Sequence, residues 1–406
     1  MEPTVTAATA TTSSSVCHGA GGGGARVLLL PVPGAQGHTN PMLQLGRRLA
    51  YHGLRPTLVA TRYVLSTTPP PGASGVAAAA FFSQPCAVDV VYGELWAGRL
   101  ALPATDGRAL LARGALGVEL GLEDMPPFAA VPESQPTFLK VSVGQFEGLE
   151  DADDVLVNSF RDLEPKEVEY MELTWRAKMV GPTLPSFYLN DDRLPSNKSY
   201  GFNFFNGDAL CMDWLEKQSN SSVVLVSYGT VSNYDATQLE ELGNGLCNSG
   251  KPFLWVVRSN EEHKLSKELK EKCEKIGLIV SWCPQLEVLA HRAIACFVTH
   301  CGWNSTLEAL VNGVPLVGIP HWADQPTIAK YMESAWSMGV RVPKDNNGYL
   351  KMEELERCIR EVMDVERKDE YKRNVVKWMQ KAKEAMREGG SSDKNIIEFA
   401  TKYSSI

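Results

Sequence analysis

A pattern of strand, turn and helix that occurs twice constrains the fold of this chain more than any other feature. In the first copy, a nearly continuous apolar run at Arg26–Val32 precedes a glycine-containing loop and a helical segment that stops at Gly53. A run of this length is typical of a strand buried on both faces of a parallel sheet. The second copy opens on Ser222–Val226 and closes on a further apolar run at Phe253–Val257. The sequence therefore predicts two Rossmann-like α/β domains, each beginning with a βαβ unit.

Local signals predict where the first helix begins. Asn40 is a favourable N-cap residue, and Pro41 suits the first helical position because an N–H there has no partner within the helix. We therefore predict a helix that begins at Pro41 and ends near His52.

Composition marks the predicted domain boundaries. The first 25 residues are rich in Ala, Thr, Ser and Gly and contain no Lys or Arg, as a disordered tail does. Residues 181–206 are rich in Pro, Asn and Asp and lack hydrophobic periodicity, which is typical of a linker. The predicted organisation is a tail at 1–25, an N-terminal domain at 26–180, the linker at 181–206, a C-terminal domain at 207–388 and a last helix at 389–406.

Charge and cysteine usage limit the partners and the compartment. Of 406 residues, 40 are Lys or Arg and 48 are Asp or Glu, which gives a net charge of −8 and argues against nucleic acid or an anionic membrane as the main partner. No apolar run reaches the roughly 18 residues that span a bilayer, and no signal peptide is expected. Nine cysteines without a C-x-x-C pair are typical of free thiols in a reducing compartment. We therefore predict a cytoplasmic protein and leave its oligomeric state open.

Two groups of residues raise the alternative of a metal site. Asp151 and Asp153 form a D-x-D pair, but they lie in an acidic run before a predicted strand, and a solvated face is the favoured interpretation. Five further residues cluster at spacings too wide for the paired ligands of a zinc site: Cys283, His291, Cys296, His300 and Cys301. No metal site is predicted.

A second strand, turn and helix in the C-terminal domain has the geometry of a phosphate site. Ala295–Thr299 is a short apolar run and His300–Trp303 forms the turn, after which Asn304 or Ser305 is predicted to cap a helix. Free backbone N–H groups and the positive end of the helix dipole then meet at one spot, which suits a phosphate. Ser305 and Glu308 also fit a capping box, S-x-x-E, which accounts for both without a ligand. On this turn alone, both interpretations stay open.

Aromatic residues flank this turn. Trp282, Trp303 and Trp322 lie within 41 residues, and Asp324 and Gln325 follow the last of them. Aromatic faces stack on bases, and carboxylate and amide groups bind sugar hydroxyls. Packing in the core is the alternative use of the three tryptophans.

Three segments carry a resemblance to a known family: Trp282–Gln285 (WCPQ), His300–Glu308 (HCGWNSTLE) and Pro320–Gln325 (PHWADQ). Together they resemble, without a gap, the 44-residue signature box of plant UDP-dependent glycosyltransferases. Further matches, such as Gly37–Pro41 (GHTNP) and Val226–Thr230 (VSYGT), extend the resemblance over nearly the whole chain. It is closest to grass enzymes that glucosylate small molecules. The resemblance implies a GT-B fold, in which two Rossmann-like domains with parallel sheets face each other across a cleft and the last helix crosses back to the first domain.

The resemblance also implies a role for each residue of the donor site. UDP-glucose would be the donor substrate, and no further cofactor is implied. Uracil would stack on Trp282, and the final Gln325 of the box goes with glucose more often than with galactose. The resemblance implies that Gln285 and Glu308 contact the ribose. It implies that the diphosphate is held by Thr230, His300, Asn304 and Ser305. The sugar would contact Trp303, Asp324 and Gln325.

His38 is the candidate catalytic base. It follows the first predicted strand, at the carboxyl edge where α/β sheets place their ligands. An imidazole with an ordinary pKa of about 6.5 suits a general base, although by position alone a surface histidine is the favoured alternative. The resemblance implies that His38 deprotonates the acceptor in a metal-independent, inverting displacement. The charge of the leaving UDP would then be met by the helix N-terminus and His300.

A segment of the first domain is missing from the family pattern. In the family, an aspartate in a D-x-x-x-x-W stretch orients the base histidine, and it lies between the second strand and a later A-A-F strand. Here the second predicted strand ends at Thr61 and Val76–Phe82 already matches the later one, while Asp89 and Trp96 have the wrong spacing and position. We therefore predict an incomplete first sheet and a His38 without a partner.

Two functions follow from the sequence. We predict transfer of a hexosyl group, glucose from UDP-glucose, to a hydroxyl or carboxyl of a small lipophilic acceptor such as a flavonoid, phenolic, hormone or toxin. The alternative is a UDP-sugar-binding relative whose catalysis is impaired because the partner aspartate is missing. A nicotinamide dehydrogenase is disfavoured because Gly34-x-x-Gly37 does not match G-x-G-x-x-G. The acceptor pocket is expected in the first domain, near Tyr92, Trp96, Phe138 and Phe146.

Overall fold

The computed structural model describes residues 24–31, 36–58, 77–200, 210–229, 233–364 and 367–404. In these ranges the chain forms eleven β-strands in three parallel sheets and sixteen α-helices. None of these helices is both long enough and apolar enough to cross a membrane. The predicted tail falls almost wholly outside the described residues, as do Thr61, Thr230 and the end of the predicted linker. The predicted domain boundaries stay predictions.

The first half of the chain, up to Met179, holds two small parallel sheets. In the described residues these sheets are separate, one formed by β1 and β2 and the other by β3, β4 and β5 in that order. The division agrees with the predicted loss of a segment from the middle of the first sheet. Leu28 is 62% exposed, so the prediction that the first strand is buried on both faces is wrong for this residue. The strands are β1 (Arg26–Leu29), β2 (Arg55–Leu58), β3 (Ala79–Phe82), β4 (Asp154–Val157) and β5 (Ala177–Met179).

The second half, from Leu210, is built on one six-stranded parallel sheet with the order β11-β10-β9-β6-β7-β8. Its central strands are fully buried, since helices cover both faces. The apolar runs of the second βαβ unit predict its strands to within one residue. The strands are β6 (Val223–Ser227), β7 (Phe253–Val256), β8 (Leu278–Val280), β9 (Ile294–Thr299), β10 (Leu316–Gly318) and β11 (Gly339–Arg341).

The helices alternate with the strands, as parallel sheets require. Those up to the end of the linker are α1 (Gln36–Tyr51), α2 (Cys86–Trp96), α3 (Arg108–Ala112), α4 (Pro127–Ala130), α5 (Pro136–Gly144), α6 (Pro165–Trp175) and α7 (Ser186–Leu189). Those of the second half are α8 (Leu210–Glu216), α9 (Ala236–Asn248), α10 (Lys267–Glu274), α11 (Gln285–Leu289), α12 (Trp303–Val311), α13 (Gln325–Glu333), α14 (Met352–Met363), α15 (Arg367–Met386) and α16 (Ser391–Ser404).

Helix α1 begins five residues earlier than its sequence predicts. It starts at Gln36 and contains Pro41, so the prediction of Asn40 as N-cap is wrong. A residue at position 41 would normally donate its N–H to the carbonyl of Gly37, but proline has no N–H. That carbonyl accepts a hydrogen bond of 2.7 Å from Asn304 Nδ2 on α12 instead. The proline therefore leaves a backbone acceptor of the first half available to a side chain of the second half.

Helix α16 crosses from the second half to the first. Asn395 Nδ2 donates to Met179 O on β5 at 2.8 Å, and Tyr403 OH donates to Asp154 Oδ2 on β4 at 2.7 Å. Ser392 Oγ donates to Gly181 O at 2.6 Å. These bonds fix the last helix along the three-stranded sheet.

A buried ionic network joins α1, the linker and α16. Arg48 Nη1 lies 2.8 Å from Asp191 Oδ2, and Arg193 Nε lies 2.8 Å from Asp191 Oδ1. Arg193 also bonds Asp393 at 2.9 Å and the carbonyl of Met386 at 2.8 Å. The linker carboxylate is thus held between an arginine of the first half and one that reaches α16.

Two apolar clusters form the core. The larger contains buried residues of both halves, among them Leu45 on α1, Trp303 on α12 and Tyr403 on α16. The smaller lies on the other side of the six-stranded sheet and includes Trp255 and Ile359. The interface between the halves is therefore part of the main core.

Candidate active site

The turn between β9 and α12 leaves the first turn of the helix without a side-chain cap. Gly302 is the N-cap residue and makes no side-chain hydrogen bond, so the prediction that Asn304 or Ser305 caps the helix is wrong. The predicted capping box does not form either, because Gln285 Nε2 lies 3.0 Å from Ser305 Oγ and 2.7 Å from Glu308 Oε2. Backbone N–H groups and the helix dipole therefore point out of the first turn of α12, where they suit an anionic group.

His300 packs against two glycines beside this helix end. A Cβ atom at Gly229, where φ is +81°, would lie 2.6 Å from His300 Nε2, and one at Gly302 would lie 2.4 Å from it. Only glycine therefore fits at either position while the ring keeps its place. Burial lowers the pKa of His300 to about 4, so the ring is neutral at pH 7. A neutral imidazole has one N–H, and here it donates to the backbone carbonyl of Ser227, so His300 brings no positive charge to this helix end.

Glu308 is a buried carboxylate held by two donors. Its Oε2 accepts from Gln285 Nε2 at 2.7 Å, and its Oε1 accepts from Tyr200 OH at 2.8 Å. Burial raises the pKa of Glu308 to about 7, although both hydrogen bonds lower it. Tyr200 was not predicted from the sequence, because it is one of several aromatic residues in the linker and no local pattern marks it.

Asp324 and Gln325 organise the loop that faces the start of α12. Gln325 Oε1 accepts the backbone N–H groups of His321 at 2.9 Å and Trp322 at 3.1 Å. Burial raises the pKa of Asp324 to about 6, opposed by a hydrogen bond from the backbone N–H of Trp303. The two predicted sugar-binding side chains are thus fixed next to the predicted diphosphate site.

Two of the three tryptophans of the signature box pack between the halves. The Trp303 indole is 3% exposed and its Nε1 donates to Asn158 O of the first half at 2.7 Å. Trp322 makes edge-to-face contacts with Phe128 and Phe138, with ring centroids 5.7 and 5.4 Å apart. Both indoles are packed against other residues of the protein, so a contact between Trp303 and the sugar would use other atoms of that residue. This contact stays a prediction.

Two predicted donor contacts remain untested by geometry. Trp282 lies half-buried in the connection between β8 and α11. Thr230 lies outside the described residues. Stacking of uracil on Trp282 and binding of diphosphate by Thr230 stay predictions.

His38 has a partner that the sequence analysis did not foresee. Its Nδ1 lies 2.6 Å from Ser83 Oγ, which directly follows β3. The prediction that His38 has no partner is therefore wrong, although the partner is a hydroxyl and not a carboxylate. His38 is an exposed residue, but the protein that surrounds its ring partly desolvates it. This burial lowers the pKa of His38. A usable signal existed, since Ser83 ends a predicted strand at the sheet edge where His38 also lies.

Other first-half candidates have structural roles. Asp89 is buried on α2 and accepts from Gln84 Nε2 at 2.5 Å. Asp153 Oδ2 accepts the backbone N–H of Ala78 at 2.8 Å, which fixes the start of β3. Tyr92 and Phe146 lie in the core, at 1% and 0% exposure, so the expectation that they line an acceptor pocket is wrong.

Two partly exposed aromatic residues of the predicted pocket remain, Trp96 at 42% and Phe138 at 46% exposure.

Among the described residues, no group of three or more His, Cys, Asp or Glu side chains is placed to hold a metal ion. Their eight cysteines are buried free thiols.

Comparison with known proteins identifies the family. A profile described as UDP-glucoronosyl and UDP-glucosyl transferase matches residues 206–384. UDP-glucosyltransferase UGT13248 of Hordeum vulgare subsp. vulgare is 76% identical, in an alignment that covers all of both chains. The chain belongs to the plant UDP-glycosyltransferase family. UDP-glycosyltransferase 79 of Oryza sativa subsp. japonica is 61% identical to this glycosyltransferase over 94% of its chain and 97% of the relative.

Solved structures confirm the GT-B fold of this glycosyltransferase. The structure of Os79 from O. sativa in complex with UDP matches it with a TM-score of 0.89 and 62% identity, covering 93% of this chain and all of that one. An anthocyanidin 3-O-glucosyltransferase in complex with UDP matches with a TM-score of 0.77 over 94% of this chain and 99% of that one, at only 21% identity. The predicted fold class is therefore confirmed.

The glycosyltransferase lacks an internal segment of the family pattern. Its alignment with the H. vulgare relative runs over 475 positions, whereas the chain has 406 residues. The difference leaves at least 69 alignment positions without a residue in this chain. The predicted internal deletion is thus confirmed, and the divided sheet of the first half agrees with its predicted location.

Proposed function

We propose that the chain transfers glucose from UDP-glucose to a hydroxyl or carboxyl group of a small lipophilic acceptor, by metal-independent displacement with inversion at the anomeric carbon. One observation carries the proposal, the hydrogen bond of 2.7 Å between Asn304 Nδ2 and Gly37 O. It brings the residue next to His38 to the first turn of α12, where free N–H groups suit a diphosphate. The hydrogen bond therefore supports a proposed base that lies next to the proposed donor site.

In this mechanism, His38 Nε2 takes the proton of an acceptor hydroxyl as its oxygen attacks the anomeric carbon. The bond from that carbon to the UDP oxygen breaks on the opposite face, which inverts the configuration. The negative charge of the leaving UDP is met by the N-terminus of α12, beside neutral His300. Gln285 and Glu308 hold the ribose, and Asp324 and Gln325 hold the sugar.

The acceptor class has support from one relative. Structures of Os79 from O. sativa hold a trichothecene in one case and deoxynivalenol-3-glucoside in another. We infer that a toxin alcohol of this class is an acceptor here. Phe138 and Trp322 supply apolar surface for it beside the donor site.

We also propose a cytoplasmic location, supported by the eight buried free thiols.

Calorimetric titration of UDP into the full chain tests the donor site. We expect saturable binding that Trp282→Ala weakens roughly 5- to 150-fold, because stacking of a base on an aromatic ring contributes about 1–3 kcal/mol. The matched control is Trp96→Ala, which removes a partly exposed tryptophan of the first half and should leave the affinity unchanged. A folded chain that binds no UDP contradicts the proposal, and so does equal loss in both variants.

The affinity for UDP-glucose should depend on pH through Glu308. Its pKa is about 7, so the carboxylate that accepts ribose hydroxyls predominates above pH 7 and is protonated below it. We expect affinity to fall as the pH decreases from 8 to 6. Tyr200→Phe removes a hydrogen bond that lowers this pKa, so the midpoint should move to higher pH.

Titrations of UDP-glucose at a series of pH values measure this midpoint, since its diphosphate has no ionisation near pH 7. Glu308→Gln should abolish the change in affinity near pH 7 and leave only the change near pH 6 that Asp324 causes. Tyr349→Phe, which removes a hydroxyl bonded to Asp235, is the control and should leave the midpoint in place. An unchanged pH dependence in Glu308→Gln contradicts the assignment.

A second candidate function is binding of UDP-sugar with impaired transfer. It is favoured by the divided sheet and by the hydroxyl that stands at His38 Nδ1 instead of a carboxylate. UDP binding without glucosylation of a phenol such as 1-naphthol supports this candidate. Ready turnover of the phenol excludes it.

A further inference from the structure

We propose that Ser83 is a positioning residue for His38, taking the place of the carboxylate that the missing segment supplies in the family. The contact between Ser83 Oγ and His38 Nδ1 is 2.6 Å long, slightly shorter than an ordinary N–H···O hydrogen bond. This inference rests on the proposed function, because it assumes that His38 is the base.

The Ser83 hydroxyl is presented by a well-anchored element. Ser83 follows Phe82, the last residue of β3, which is 4% exposed. The carbonyl of Phe82 accepts the N–H of Asn158 at 2.8 Å, and β3 pairs with β4 along its length. A hydroxyl held at the end of a paired strand keeps one position relative to the imidazole.

His38 is anchored from its own side as well. The carbonyl of the preceding residue, Gly37, is fixed by Asn304, and the following residues continue α1. The two partners of the contact thus belong to different rigid elements, β3 and α1. Their approach is a result of the fold and not of a local turn.

The contact decides which ring nitrogen can act as a base. When Nδ1–H donates to Ser83 Oγ, the lone pair lies on Nε2, which is then able to accept a proton from a substrate. When the hydroxyl donates to Nδ1 instead, Nε2 carries the proton and cannot act as a base. Ser83 therefore orients His38 productively only as an acceptor, and the proposal assigns it that role.

A hydroxyl does only part of what a carboxylate does. It fixes the tautomer and the orientation of the ring, and the bond from Nδ1–H becomes stronger when the imidazole is protonated. It carries no negative charge, so it stabilises the imidazolium less than an aspartate does. Asp89, which follows Ser83 in sequence, does not replace that charge, because it is fully buried and burial raises its pKa well above the ordinary value. Burial is the cause that acts on the pKa of His38, and it lowers that pKa.

The first experiment reads the tautomer directly and needs no catalysis. Full chain labelled with ¹⁵N-histidine is measured by NMR, and the His38 signals are assigned by their loss in His38→Gln. We expect the Nδ1–H tautomer in the native chain and in Ser83→Thr, and a shift towards Nε2–H in Ser83→Ala. Ser134→Ala, which removes a serine bonded only to the carbonyl of Val131, is the control. An Nε2–H tautomer in the native chain, or no change in Ser83→Ala, overturns the proposal.

The second experiment measures the pH profile of transfer from UDP-glucose to 1-naphthol. Ser83→Ala should lower kcat/KM about tenfold, the effect of one neutral hydrogen bond, without changing UDP affinity. Ser83→Asp should raise the pKa of His38, because a carboxylate favours the imidazolium, and move the acidic limb of the profile to higher pH. Parallel loss of UDP affinity and melting temperature in Ser83→Ala, with the tautomer unchanged, indicates a merely structural serine and overturns the proposal.

The two experiments separate the proposal from the proposed function. A chain that binds UDP but transfers no glucose contradicts the proposed function. In that case the tautomer and the NMR-measured pKa of His38 still decide whether Ser83 orients the ring.

Discussion

Replacing His38 by glutamine is expected to lower kcat/KM for glucosylation of a hydroxyl acceptor by at least about a hundredfold, since general bases contribute roughly 10²–10⁴ in rate. Glutamine is similar in size to histidine and can form hydrogen bonds, but it cannot take the proton of the attacking hydroxyl. UDP affinity should be unchanged, because the predicted contacts with the nucleotide lie on the second half. Steady-state kinetics with 1-naphthol and calorimetry with UDP measure the two quantities.

A carboxyl acceptor sharpens this test. Benzoate is already ionised at pH 7 and needs no base, so His38→Gln should reduce its glucosylation far less than that of 1-naphthol. His263→Gln is the matched control, because His263 is exposed on the second half. Equal loss with both acceptors argues that His38 positions substrates and does not remove a proton.

The second large effect concerns stability, through Asp191. Arg48 is 4% exposed and bonds Asp191 with Nη1, while its Nε and Nη2 have no hydrogen-bond partner in the described residues. Asp191→Asn removes the carboxylate that pairs directly with this buried arginine. Breaking a buried ion pair in this way costs about 3–5 kcal/mol. We expect a loss of that size in the free energy of unfolding by urea at pH 7.

The effect of Asp191→Asn should fade in acid. Burial raises the pKa of Asp191, but the hydrogen bonds from Arg193 and Arg48 outweigh it and lower the pKa to about 2. An aspartate with a lowered pKa stabilises the fold above its ordinary pKa of about 3.9 and loses this effect as the pH falls towards 2. The difference between native chain and variant should therefore narrow between pH 4 and pH 2. The control is Asp192→Asn, at an exposed neighbouring position. It should change neither the free energy of unfolding at pH 7 nor its dependence on pH.

Local sequence signals predicted the central strands of the second half and the fold class, because apolar runs and glycine turns act over a few residues. These signals failed where a residue that is distant in sequence determines the local structure. Helix α1 passes through Pro41 because Asn304 takes the freed carbonyl of Gly37. The capping box at α12 is replaced by bonds to Gln285, twenty residues away from Ser305. In each case the partner lies outside the helix whose own sequence pattern was used for the prediction.

The candidate site likewise contains some residues that could be predicted from the sequence and others that could not. The signature box could be recognised because its residues are contiguous in sequence, and their roles then follow from the resemblance. Ser83 and Tyr200 were not recognised, since each reaches its partner only through the fold, across 45 and 108 residues. The exposure of Leu28 agrees with the predicted incomplete first sheet, although the apolar run by itself indicates burial on both faces.

The apolar cluster shared by both halves has a consequence for how the molecule responds to its ligand. Because Leu45, Trp303 and Tyr403 belong to one continuous core, we expect the two halves to unfold together in one transition. A nucleotide that binds only the intact C-terminal sheet then shifts the folding equilibrium of the whole chain by mass action. Occupancy by UDP-sugar thereby protects the shortened N-terminal half, which has little sheet of its own to stabilise it.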